Sequence, residues 1–126
     1  MPFILTDEYI KYFKQGIKQI NELPLYFQNV VNTIILKYPD IQIYLFGSYY
    51  RGDYHNETSS QEFINFKREY KHKTGRKFKN KSDLDLMLNY KIDLEFDNVD
   101  LVIFTCIEEQ IINFPGILLY DGSKKE

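Results

Sequence analysis

Two carboxylates, Asp83 and Asp85, stand one apolar residue apart in Ser82-Asp83-Leu84-Asp85-Leu86. On a strand, where side chains alternate, both project to one face with Cα atoms ~6.6 Å apart. Oxygen donors so placed suit hard divalent cations. Upstream, Leu45-Phe46-Gly47-Ser48 sets a bare backbone amide and a hydroxyl at the exit of a strand-like run. A phosphate oxygen beside such cations needs those two groups. Either segment alone is weak, since Asp-x-Asp pairs are common on surfaces and Gly-Ser is usually a plain turn. Together they read as a metal-assisted phosphoryl-transfer site spread over Phe46 to Leu86.

Such groups need elements beneath them. Ile41, Ile43 and Leu45 alternate with Gln42, Tyr44 and Phe46, which predicts a mostly buried strand running into Gly47. Ser48 can then cap a short helix carrying Tyr49, Tyr50 and Arg51 until Gly52 breaks it. Leu84, Leu86 and Leu88 point one way and Asp83, Asp85 and Met87 the other, so one face of this strand is core and the other is the site. Tyr90, Ile92, Leu94 and Phe96 alternate with Lys91, Asp93, Glu95 and Asp97, an amphipathic strand pattern, and Asp97-Asn98 is a turn into Val99 to Phe104. A helical turn over Glu108 to Ile112, a break at Phe114-Pro115-Gly116 and a last strand over Ile117 to Tyr120 follow. On the N-terminal side, Thr6 with Asp7 and Glu8 is a helix start, and Ile10, Phe13, Ile17 and Ile20 recur at helical spacing, predicting a helix over Asp7 to Asn21. Pro24 opens a second helix with Phe27, Val30, Val31, Ile34, Ile35 and Tyr38 on its apolar side, and Pro39 ends it. Both helices read as core scaffolding.

A chain of 126 residues is long enough for one core, and the expectation is a single α+β domain with a helical part at 1–40. The net charge of −2 gives no bulk attraction to nucleic acid or membrane. One cysteine, Cys106, makes no internal disulfide and has no recognisable His partner, so it reads as a small buried residue. No signal core or membrane-length apolar run is visible, which points to a cytoplasmic protein with no membrane partner. His55 and His72 lack neighbouring ligands and read as surface residues, and Asp53 beside Gly52 as a turn residue.

Four blocks of this sequence, in order, resemble the minimal nucleotidyltransferases of the DNA polymerase beta superfamily, of the antitoxin-like type. They are Phe46-Gly47-Ser48-Tyr49-Tyr50-Arg51-Gly52-Asp53, Ser82-Asp83-Leu84-Asp85-Leu86, Val99-Asp100-Leu101-Val102 and Gly116-Ile117-Leu118-Leu119-Tyr120. The resemblance covers roughly Ile41 to Asp121. It implies a small mixed sheet packed against the N-terminal helices, and a nucleoside monophosphate, the adenylate of ATP, passed to a hydroxyl with two Mg²⁺ (or Mn²⁺) ions. Asp83, Asp85 and Asp100 would hold the metals, Asp100 taking the acceptor's proton, while Gly47, Ser48 and Arg51 would hold the nucleotide's phosphates. The acceptor would be a small molecule or a separate helical partner protein. The alternatives are a nucleotide-binding or assembly module without turnover and a transferase directed at nucleic acid.

Two features depart from that pattern. A hairpin closed at Asp97-Asn98 would set Asp100 opposite Glu95 and away from Asp85, whereas a parallel strand would leave residues 89–98 as a crossover shorter than the usual dozen. Three-carboxylate chemistry requires the parallel arrangement. The other departure is an insert at 54–81, where Phe63, Phe66 and Tyr70 predict an amphipathic helix over Ser60 to His72. Between Lys67 and Lys81 eight Lys and Arg face one acid, Glu69. This run is either a solvated loop or a flap that closes over a triphosphate or a polyanionic acceptor.

Overall fold

The computed structural model of the chain describes residues 14–56, 59–75, 81–105, 107 and 113–123. Among these, four strands form one mixed sheet: β1 (Gln42–Phe46), β2 (Leu84–Leu88), β3 (Val99–Ile103) and β4 (Gly116–Asp121), in the order β3-β2-β1-β4. Three α-helices accompany it: α1 (Leu25–Lys37), α2 (Ser48–Arg51) and α3 (Gln61–Thr74). No helix among the described residues is long and apolar enough to cross a membrane.

The core lies on one face of the sheet. Ile43 and Leu45 of β1 and Leu84, Leu86 and Leu88 of β2 are all fully buried there, as their alternation requires. Against them α1 sets Phe27, Val30, Val31 and Ile34. Pro24 is the N-cap of α1, its carbonyl accepting from Gln28 N at 3.0 Å, and Pro39 follows the C-cap residue Tyr38, so both predicted ends of that helix are found. On the opposite face, Tyr44, Met87 and Ile107 make a smaller apolar cluster flanked by Phe46 and Phe104.

The first predicted helix differs. Residues 7–13 lie outside the described residues, and residues 14–19 are not helical; a single 3-10 turn, Ile20–Glu22, stands where that helix was expected to end. Competing backbone partners account for it. Lys14 N donates to Gly52 O at 2.7 Å and Ile17 N to Tyr49 O at 2.9 Å, so this segment lies along α2 and spends its amides there. Of the two helices expected at 1–40, the second is present as α1 and packs on the sheet.

The second difference is at residues 89–98, predicted to include a strand. They form a crossover without a ladder, and β3 runs parallel to β2. The alternation is nonetheless real: Ile92 is buried and Tyr90, Leu94 and Phe96 are half-buried against the core, while Lys91, Asp93, Glu95 and Asp97 are exposed. An extended segment crossing a core face has the same period as a strand, with no edge to pair with. The predicted turn at Asp97-Asn98 also exists, with Asn98 at φ 59, and it delivers the chain into β3 instead of closing a hairpin.

Candidate active site

Parallel pairing of β2 with β3 sets Leu84 against Val99 and Asp85 against Asp100. On its other side Asp85 faces Phe46, the last residue of β1, in antiparallel register. Asp85 therefore stands between the exit of β1 and Asp100, on the face opposite the core. Asp83 leads into β2 one residue before Leu84, on the same side by alternation. The structure thus brings the three sequence-predicted carboxylates together, and the register of the crossover is what does so.

Gly47 lies against this group. Its backbone has φ 79 and ψ −154, a conformation essentially confined to glycine. A Cβ added there would meet Asp85 Oδ2 at 2.1 Å. The backbone conformation thus strongly favours glycine, and any side chain at position 47 would have to displace the Asp85 carboxylate. Gly47 is the N-cap of α2 and Ser48 its first residue, so Ser48 does not cap the helix as the sequence reading expected, and the terminus carries no side-chain cap bond. Tyr49 anchors this one-turn helix. It is 1% exposed, stacks on Tyr54 with centroids 4.3 Å apart and meets Phe27 edge-on at 5.3 Å. With Tyr49 locked inward, Ser48 and Arg51 line a cleft of about 410 Å³ that also takes in Gly47 and all three aspartates.

The electrostatics of the cleft are polarised. Burial, the charge of Asp100, a hydrogen bond that the protonated Asp85 donates to Asp100 and the charge of Asp83 push the Asp85 carboxyl up to about 7, against the pull of Arg51. Asp85 is therefore still partly protonated near neutrality, as a half-buried carboxyl beside other carboxylates is. Among the described residues no three or more His, Cys, Asp or Glu side chains are already arranged around a metal position. The donor set still fits a hard divalent cation. It consists of carboxylates alone, and its excess negative charge is now relieved by a proton that a cation would displace.

The other end of the cleft is basic, and sequence reasoning missed most of it. Asp53 and His55, taken for a turn and a surface residue, are buried at 1% and 0% exposure. Asp53 pairs with Arg51, Oδ1 to Nε at 3.3 Å, while Arg51 stays half-exposed. His55 and Ser82 tie the neck of the insert: Ser82 N donates to His55 O at 3.0 Å, His55 N donates to Ser82 Oγ at 3.0 Å, and Ser82 Oγ lies 3.2 Å from His55 Nδ1. Both ends of residues 54–81 are therefore held together immediately before Asp83. Within the insert, α3 begins at an N-cap Ser60 whose Oγ accepts from Phe63 N at 3.1 Å, close to the predicted start. Its inner face carries Phe63 and Lys67, each 3% exposed. The sequence reading gives Lys67 no role, although its place four residues after Phe63 and three before Tyr70, on the apolar side of the helix, is a signal for it. His72 is exposed as expected, and Cys106 and the turn expected at 108–112 lie outside the described residues.

In comparisons with known proteins, no family model, no curated protein and no solved structure matches the chain.

Proposed function

We propose that this chain is a minimal nucleotidyltransferase, moving a nucleoside monophosphate, adenylate from ATP in the simplest case, onto a hydroxyl of a protein or small-molecule acceptor. The observation that carries this reading is the placement of Asp100 directly beside Asp85 in parallel register, with Asp83 on the same side and the Gly47–Ser48 turn against them. Mg²⁺ or Mn²⁺ held by Asp83, Asp85 and Asp100 would neutralise phosphate charge and acidify the attacking hydroxyl.

The chain's own residues have the remaining tasks. The Gly47 amide and the Ser48 hydroxyl orient the phosphates, and Arg51, fixed by Asp53, adds a counter-charge. Asp100 is exposed where Asp85 is half-buried, so the acceptor can reach it, and it takes the hydroxyl proton as the new oxygen–phosphorus bond forms and pyrophosphate departs. The proton that Asp85 holds near neutrality must leave for a cation to bind, so at limiting Mg²⁺ transfer rises with pH. Gains of this kind are mostly positional and electrostatic.

The test is incubation of the protein with Mg²⁺ and α-labelled nucleoside triphosphates in cell extract, with Asp85→Asn as control. Transfer of label by the parent alone, with pyrophosphate release, supports the reading. Absence of label on any acceptor, with triphosphate bound normally, would make the chain a binding module.

A further inference from the structure

Lys67 is a buried ammonium group that the reaction above does not use. Its Nζ donates to Asp53 O at 2.6 Å and to Ser82 Oγ at 3.4 Å. An ammonium has three N–H donors, so these two bonds leave one, and the residue lines the same cleft as Ser48 and the three aspartates. A lysine on the inner face of an amphipathic helix is costly unless its charge is compensated. Compensation here is poor. Asp53, the acid that favours its charged form, already pairs with Arg51, and Lys71, Arg51 and Lys14 all act against that form. Burial is the largest influence, and together these groups pull the Lys67 ammonium down to about 8. Ser82, which accepts from Lys67, is also the residue before Asp83, so the cation and the acids are joined through one short backbone segment.

We propose that Lys67 is a phosphate-binding residue of this cleft, and that helix α3 of the insert is a fixed wall of a polyphosphate site. The inference rests on the nucleotidyltransferase reading and deepens it. The distal phosphates of a triphosphate lie toward Lys67 and Arg51, and the proximal end lies toward Asp83, Asp85 and Asp100. An anion is the missing compensation for a buried cation, which explains why the helix presents a lysine where packing alone would select an apolar residue. On this account the described part of the insert is a preformed half of the site, and binding needs no closure of that helix.

The probe is inorganic tripolyphosphate, first without metal. Lys67→Met, which keeps length, and Lys67→Gln, which keeps N–H donors, should each weaken its binding at least tenfold, with ligand-free melting temperatures within a few degrees of the parent. In the unaltered protein, NMR of isotope-labelled lysine should show the Lys67 titration moving upward when tripolyphosphate is added, because a bound anion favours the ammonium form. Parent-like affinity in both variants, or a Lys67 titration that tripolyphosphate leaves unmoved, overturns the proposal. A repeat with ATP and Mg²⁺ separates the two readings. Lys67-dependent binding that Mg²⁺ does not strengthen, and that Asp85→Asn does not alter, keeps the phosphate site and rejects the transferase.

Discussion

Asp85 is held where its own charge is unfavourable, and this has a measurable consequence for folding. Its carboxyl is raised from an ordinary 3.8 to about 7 in the folded chain, so between those values the folded state binds more protons than the unfolded one. Stability therefore falls as pH rises through that window and levels off above it. Asp85→Asn should flatten this dependence and raise the melting temperature at pH 8 while abolishing Mg²⁺-dependent transfer; thermal melts over a pH series check the first part. A parent protein whose stability is level from pH 4 to pH 7 would contradict the assigned burial of Asp85 beside Asp100. At Gly47 the argument is steric. Gly47→Ala requires a backbone conformation costing about 1–3 kcal/mol and displaces the Asp85 carboxylate, so triphosphate affinity and stability should drop together. Titration calorimetry and urea unfolding report the two separately.

Helix α2 illustrates how an element too short to be stable alone is made rigid by one side chain. Four residues cannot sustain a helix in water, yet Tyr49 is packed between Tyr54 and Phe27 and fixes the turn on which Ser48 and Arg51 are displayed. Tyr49→Ala should cost about 3–5 kcal/mol by analogy with other large aromatic truncations. It should also weaken triphosphate binding even under conditions where the variant is folded. The neck of the insert depends in the same way on Ser82, whose hydroxyl meets His55 N, His55 Nδ1 and Lys67 Nζ. Ser82→Ala leaves buried donors unmet at about 1–3 kcal/mol. Limited proteolysis should then cut first within residues 54–81, with the sheet protected; uniform cleavage across the chain would show that the neck is not an independent latch.

For the molecule as a whole, the larger of the two apolar clusters lies on the face where Leu84, Leu86 and Leu88 meet α1 and the crossover. Leu86→Ala should lower it by about 2–5 kcal/mol, read as a shift in the urea midpoint at unchanged slope. The elements flanking the site were legible in the sequence because their information is local. The leucines of β2 follow a period of two, α1 is bracketed by Pro24 and Pro39, and α3 starts at a serine cap. The candidate triad was legible only as residue types in order. Whether Asp100 stands beside Asp85 depends on strand direction, and the alternation at 90–96 has the same period for a paired strand and for an extended crossover. Helix periodicity misled at 14–21 because the amides of Lys14 and Ile17 find partners on a distant segment, Gly52 and Tyr49, which no local pattern encodes. Likewise Asp53, His55 and Lys67 gain their environment only when the insert folds back on its own neck. The sequence by itself determined the periodicities, the caps and the chemical types of the site groups. Tertiary structure alone decided strand direction and the charge balance of the cleft, because both arise from groups far apart in the chain that are brought within a few ångströms.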